Sequence, residues 1–317
     1  MFIKKNSIDV VIVTYGNRWE YVEKVITRAI SFEEVNTVTV VNNDSTYDVN
    51  LKVKEIFHSK KVYVENPREN LGSAGGYKLG IQSSVKQQGE FVWLLDDDNL
   101  PSKVSIKNMI HAASNLKNEK FALTCYRKNW INKTSKEVKD IQNTFFEFSL
   151  INKLKRKKYN NNNSNLSKRL YVPYGGLLFE KKVLKEVGLP NENMYLYVDD
   201  TDFTFRFTKS GYTIYCLFDA EIVDLEDSWA QKVSEPLFKA IFNVDDPYRG
   251  LMNVRNRAYF EKNNLVKNNI IYFFNMCMYL IYIFTFYMPK NKKSLSLFKK
   301  IIKMIKEGRK ENLGRKI

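Results

Sequence analysis

Cysteine and histidine are both scarce in this sequence of 317 residues. The three cysteines, Cys125, Cys216 and Cys277, are scattered and odd in number. That argues against a disulfide-built scaffold and for a reducing compartment. The two histidines, His58 and His111, fall in no HExxH pattern, and no CxxC occurs. A zinc site therefore has no support, and any metal would rest on carboxylates. No signal peptide is visible: the start, MFIKKNSIDVVIVTYG, holds only a short apolar run that reads as a strand. The expected location is the cytosol, at the inner face of the cell membrane. Internal repeats are absent, as are the Walker A pattern and GxGxxG. Hydrophobic residues at 44% and charged residues at 27% exclude wholesale disorder, and the length allows one large domain or two ordinary ones.

Positive charge is what the chain has in excess, at a formal +16. Such an excess can mark a nucleic-acid binder. Its distribution argues otherwise. Residues 150–172 carry Lys153, Lys155, Arg156, Lys157, Lys158, Lys168 and Arg169 with no acid, and residues 289–317 carry eleven basic residues against Glu307 and Glu311. These two segments account for the whole excess, so the remainder is neutral. Two basic patches on a neutral body are not a basic groove. The second patch adjoins the most apolar stretch of the chain, 270–288, which points to an anionic membrane surface.

Short β-branched runs alternate with helical periodicity through the first hundred residues. Strands are expected at 8–14, 37–41, 61–64 and 91–95, with a helix at 19–31 (Val22, Val25, Ile26, Ala29 and Ile30 on one face) and another after Gly72–Gly76. This alternation predicts an α/β fold with a parallel sheet and ligands at the C-terminal strand edges. Residues 150–170, with Asn160 to Asn163 in a row, read as a mobile basic loop. A strand at 171–179 and a helix at 180–187 follow, then the acidic segment YLYVDDTDFTFRF.

Four constellations can carry chemistry. Asp96-Asp97-Asp98 directly follows an apolar strand, and three adjacent carboxylates repel one another. A divalent cation with hard-ligand preference, Mg²⁺ or Mn²⁺, would relieve that repulsion. The alternative is an acidic loop capping a helix at 102–110, with Pro101 near its start. In Val198-Asp199-Asp200-Thr201-Asp202, an Asp202–Arg206 pair at i, i+4 would anchor a helix and leave Asp199 or Asp200 to act as a general base. The alternative is a helix start rich in acids for dipole reasons. Small residues at Asn70, Gly72, Gly75 and Gly76 would let backbone N–H groups approach a diphosphate, or else let a helix pack closely on the sheet. Thr14, Arg18 and Asp44 stand at the ends of the first two strands, where Asp44 could bind a base or ribose, or form a turn.

In this order, the stretches IDVVIVTYGNR, VVNNDS, ENLGSAGGY, FVWLLDDDNL, VPYGGLLFEKKVLKEVGLP, YLYVDDTDF, GYTIYCLFDAEIVDLEDSW and DDPYRGLMNVRNRAYF resemble the inverting GT-A glycosyltransferases of family 2. The glycine pair, the triple aspartate and PYRGLMNVRN look most like galactofuranosyltransferases. The resemblance, which runs from about residue 8 to 262, implies a GT-A fold with a mainly parallel central sheet as a catalytic domain (1–262); the helical, basic C-terminal extension (263–317) reads as membrane-associating from its own composition. The resemblance also implies Asp96 and Asp98 as Mn²⁺ or Mg²⁺ ligands, Asp200 as catalytic base with Asp199 beside it, and Thr14, Arg18, Asp44 and Asp97 facing the nucleotide. Relatives often place a histidine ligand where this chain has Asp224; Glu226 and Asp227 are the neighbouring substitutes. The implied reaction is metal-dependent hexosyl transfer with inversion, from UDP-galactofuranose to a hydroxyl of a polyprenyl-linked or cell-surface glycan. A dTDP-rhamnose transferase and a sugar nucleotidyltransferase are the competing readings, and an oligomer is compatible with either. The processive-synthase pattern QxxRW is absent.

The tail has three readings: an in-plane helix pair on the membrane, a single span over 270–288, or a packing helix that never meets lipid. After Pro289, Phe298, Ile301, Ile302 and Ile305 keep helical spacing among lysines.

Overall fold

The structure is a computed structural model that describes residues 4–58, 60–116, 119–128, 141–150, 165–226, 236–289 and 292–316. Of the basic loop expected at 150–170, only Leu150 and residues 165–170 are described, and Asp227 also lies outside the described residues. The chain forms two compact units. One comprises residues 1–138, 163–192 and 200–228; the other comprises 139–162, 193–199 and 229–317.

The first unit is built on one nine-stranded sheet in the order β3-β2-β1-β4-β8-β6-β9-β5, with β7 paired to β9. Its strands are β1 (Ile8–Gly16), β2 (Val35–Ser45), β3 (Val62–Glu65), β4 (Phe91–Asp96), β5 (Asn99–Pro101), β6 (Phe121–Arg127), β7 (Leu166–Arg169), β8 (Leu177–Glu180) and β9 (Thr213–Asp224). The four strands β3, β2, β1 and β4 run parallel, as the βαβ alternation requires. Beyond β4 the sheet is mixed: β8 is antiparallel to both neighbours, while β6 and β9 are parallel. The sheet is therefore parallel throughout β3, β2, β1 and β4 and mixed beyond them, with β6–β9 as a further parallel pair.

β1 is buried on both faces, which explains its unbroken apolar run. Val10 and Ile12 join the core under α1 (Trp19–Ile30) and α2 (Val49–Ile56), while Val11 joins the opposite core with Tyr77 and Ile81 of α3 (Gly72–Val85). Alternation along a strand sends successive side chains to opposite faces. At the start of β1, the carboxylate of Asp9 is fully buried. Lys181 Nζ donates to it at 2.6 Å, and Asn36 and Thr37 donate to its other oxygen at 2.8 and 2.7 Å.

Two local expectations are corrected. Residues 171–179 are not one strand, because only Leu177 onward joins the sheet: Pro173 has no N–H to give a ladder, and Gly176 turns the chain at φ +97°. The helix after the aspartates is α4 (Ser105–Asn115), later than expected, and Pro101 lies in β5, paired with Ile222. Its N-cap is Val104, so none of the three aspartates caps it.

The second unit is helical. Helices Leu237–Asn243, Tyr248–Asn264, Asn269–Tyr282 and Lys292–Arg309 pack around Phe145, Phe238, Leu251, Tyr272, Met276, Ile283, Ile301 and Ile305. Helix Tyr248–Asn264 thus clusters with the C-terminal helices rather than with the sheet.

Candidate active site

The C-terminal ends of β1, β4, β6 and β9 bring acids and two arginines together in the first unit. Arg18, at the N-cap of α1, donates Nε to both oxygens of Asp97, at 2.9 and 2.8 Å. Its Nη2 lies 3.0 Å from Asp98 Oδ2, and its Nη1 is hydrogen-bonded to Glu226. The guanidinium also sits 5.5 Å from the ring centroids of Tyr15 and Tyr21. Burial opposes its charge, but Asp97 and Asp98 outweigh that and raise its pKa.

The second arginine, Arg127, ends β6. Its Nη1 donates to Asp96 Oδ2 at 3.0 Å and its Nη2 to Asp224 Oδ1 at 2.7 Å. Asn99 Nδ2 donates to the same Asp224 oxygen at 2.9 Å, and the Tyr77 hydroxyl donates to Asp96 Oδ1 at 2.6 Å. Gly175 leaves the space these groups occupy. A Cβ there would lie 2.0 Å from Asn99 Oδ1, 2.6 Å from Arg127 Nη1 and 2.7 Å from Asp96 Oδ2.

Five carboxylates (Asp96, Asp97, Asp98, Asp224 and Glu226) face two guanidinium groups, a formal excess of three negative charges when all are ionised. Part of that excess is met by proton uptake. Burial pushes Asp97 up to about 7, against the pull of Arg18, and burial with the neighbouring Asp96 pushes Asp98 up to about 6. Thr14 is buried beside them and hydrogen-bonds to Asp97. Among the described residues, no three His, Cys, Asp or Glu side chains converge to hold a metal ion as they stand. The chemistry of the donor set nevertheless fits one. Hard oxygens in excess of their counter-charges suit Mg²⁺ or Mn²⁺, with Asp96 and Asp98 as the residues that would hold it. Asp224, expected in the same role, is held by Arg127 and Asn99, as Asp96 is held by Arg127 and Tyr77 and Asp98 by Arg18 and Asn99.

Asp200 opens the helix Asp199–Lys209, with Asp199 buried beside it in sequence. Its Oδ1 accepts from the Thr201 N–H at 2.6 Å. Its pKa is pushed up to about 6, first by burial; Asp96 raises it further, and Arg127 lowers it. Asp200 thus lies within the electrostatic reach of Asp96 and Arg127. The expected pair is present, with Arg206 Nε 3.4 Å from Asp202 Oδ2.

The lead-in to Asp200 is unusual. Tyr195, Tyr197 and Val198 all have positive φ, at 61°, 67° and 66°. Such values are costly for bulky and β-branched residues and mark functional sites. Asn256, fully buried in helix Tyr248–Asn264, holds this segment: its Nδ2 donates to the carbonyls of Met194, Leu196 and Tyr197 at 2.7, 2.9 and 2.9 Å.

Other expected residues sit differently. Asp44 is exposed at the end of β2 with φ +78°, and the turn there is made by Asn42, whose Oδ1 accepts from Ser45 N. Asn70 Oδ1 accepts from Gly72 N, and Asn43 spans the loop by donating to Gly72 O and accepting from Leu71 N. Gly75 and Gly76, read either as part of a diphosphate cradle or as close helix–sheet packing, are buried in α3. A Cβ on Gly76 would meet Val13 Cγ1 at 2.7 Å, so its smallness serves helix–sheet packing. Arg127, Asn99, Tyr77, Gly175 and Asn256 were not singled out by sequence reasoning. Tyr77, Asn99, Gly175 and Asn256 nevertheless lie in the stretches ENLGSAGGY, FVWLLDDDNL, VPYGGLLF and PYRGLMNVRN, and Arg127 lies in none of those quoted.

A family model for glycosyl transferase family 2 matches residues 9–188, more than half of the chain. The chain belongs to glycosyl transferase family 2. It is similar to galactofuranosyltransferase GlfT1 of Mycobacterium tuberculosis, 23% identical over 268 residues that span 80% of this chain and 81% of that protein. The GlfT1 of Mycolicibacterium smegmatis matches at 23% over 154 residues, 45% of this chain and 47% of that one. Among solved structures, S. aureus TarS aligns with a TM-score of 0.56 at 15% identity, covering 95% of this chain and 49% of that one. The chain thus spans about half the length of full TarS. GalNAc-T7 with UDP, GalNAc and Mn²⁺ aligns at 0.56 and 11% identity, over 82% and 51%. This family member is a glycosyltransferase with a mixed α/β GT-A-like sheet and a helical C-terminal region.

Proposed function

We propose that this glycosyltransferase moves a hexosyl group, galactofuranose from UDP-galactofuranose, to a hydroxyl of a lipid-linked or cell-surface glycan by single displacement with inversion. The observation that carries the reading is that Asp200 lies in the field of Asp96 and Arg127. A base and a diphosphate-facing charge cluster must share one cleft for an alcohol to attack as the nucleotide leaves. The similarity to GlfT1 over four-fifths of the chain supports the donor.

In this mechanism Asp200 accepts the proton of the acceptor hydroxyl as that oxygen bonds the anomeric carbon and the carbon–diphosphate bond breaks. Thr201 N–H fixes the Asp200 carboxylate. Arg18 orients Asp97 and Asp98, and Arg127 orients Asp96. A Mn²⁺ or Mg²⁺ held by Asp96 and Asp98 would supply charge neutralisation for the leaving diphosphate. The inner membrane face is the location that suits a polyprenyl-linked acceptor.

A donor screen with purified protein, Mn²⁺ and a panel of nucleotide sugars tests this. Released UDP with UDP-galactofuranose supports it. Turnover of dTDP-rhamnose alone would replace the donor, and diphosphate released from UTP would replace the reaction class.

A further inference from the structure

Within the helical unit, the stretch Asn269–Tyr287 is the one helix among the described residues long and apolar enough to cross a membrane, and only 22% of it is buried. Its two faces differ. Tyr272, Asn275, Met276 and Ile283 point inward and are buried. Ile270, Phe273, Phe274, Ile281, Phe284 and Phe286 point outward, with Ile270 82% and Phe286 72% exposed. Ile270, Phe273, Phe274, Ile281 and Phe284 fall on one side of the helix, with Phe286 exposed near its C-terminal end, and together they form a patch that a soluble surface rarely leaves open.

The following helix, Lys292–Arg309, carries its charge on its exposed side. Phe298 meets Phe284 ring to ring at 5.4 Å, which sets the second helix against the flank of the first. Lys299 and Lys300 follow directly, and Lys303 and Lys306 lie one and two turns on; all four are exposed. Leu295, also exposed, extends the apolar edge.

We propose that these two helices dock the protein onto an anionic phospholipid surface, lying in the plane of the interface with the aromatic face in the acyl boundary and the lysines on lipid phosphates. Charge complementarity selects this occupant. A second copy would offer the eleven basic residues of 289–317 only Glu307 and Glu311 of its own same stretch as counter-charges.

Spanning is disfavoured by the inner face. The Tyr272 hydroxyl donates to the fully buried Glu261 at 3.1 Å, and Asn275 Nδ2 donates to the Asn143 carbonyl at 2.8 Å. Drawing the helix into a bilayer would strip these partners and carry Tyr272, Met276 and Ile283 out of the core.

The test is co-sedimentation of the full chain with phosphatidylcholine vesicles, with and without about 30 mol% phosphatidylglycerol. Binding is expected only with the anionic lipid and is expected to weaken as salt rises. Lys299→Gln with Lys300→Gln should weaken it about 25-fold, fivefold for each charge removed near the surface. Phe273→Ser with Phe286→Ser should abolish it while circular dichroism melts stay unchanged, since both side chains are exposed. A Phe286→Trp variant should be quenched by lipids brominated near the headgroup. Equal binding to both vesicle types, or binding indifferent to all these variants, overturns the proposal. So does a dimer in sedimentation velocity that Phe273→Ser with Phe286→Ser dissolves, and so does retention on membranes after a carbonate wash, which marks a span. None of these readouts involves sugar transfer, so the proposal can fail independently of the donor assignment.

Discussion

Arg127 at the end of β6 donates to Asp224 at the end of β9 across 2.7 Å, and both side chains are nearly removed from solvent. Removing one partner of such a pair strands the other charge. Arg127→Met should cost about 3–5 kcal/mol of stability, the usual range for an orphaned buried charge. Urea denaturation reads it. The double change Arg127→Met with Asp224→Leu should cost less than Arg127→Met alone, because no lone charge remains at that pair. A single substitution with unchanged midpoint would show that the pair is solvated in solution.

Asp200 must be ionised to accept a proton. Its pKa is raised to about 6 by burial and by Asp96, so the active form is complete above that pH and is lost below it. The rate of transfer should therefore climb as pH rises through about 6. Asp200→Asn should lower turnover by about 10²–10⁴-fold, the range a general base contributes, while UDP binding measured by calorimetry persists. Near-normal turnover in that variant would end the assignment.

Gly175→Ala tests how tightly the acid cluster is built. The added Cβ would overlap Asn99, Arg127 and Asp96 together. Overpacking of this kind costs about 1–3 kcal/mol. Because the displaced atoms belong to the site itself, transfer activity should fall well beyond what the change in melting temperature explains.

Asn256→Ala should uncouple folding from activity in a different way. It removes three hydrogen bonds from the left-handed segment that leads into Asp199 and Asp200. The expected result is a fall in kcat with the apparent pKa of the rate profile shifted from the parent value. Asn256→Asp should not rescue it, because a carboxylate cannot donate to carbonyls. A loss confined to thermal stability would mean that the segment holds its shape unaided.

The parts legible in the sequence were those with strong local signals. The buried strand before Asp96 declared itself by an unbroken apolar run, and the helix at Asp199 by its Asp202–Arg206 spacing. Arg127 left no such mark: one arginine after an apolar strand gains meaning only when β9 is paired beside it. The strand expected at 171–179 is shortened to Leu177–Glu180, because Pro173 and the turn at Gly176 interrupt an otherwise apolar run. Gly76 illustrates a real ambiguity of spacing, since a glycine that admits a phosphate and one that admits a valine methyl look alike until the sheet is in place.

Arg18 reaches residues 79 and 208 positions further along the chain. Contacts of such separation are closed late, after the loops between them have been ordered. A nascent chain emerging from the ribosome accordingly holds an arginine without its full set of acids until Glu226, two residues past the last strand of the sheet, has been made.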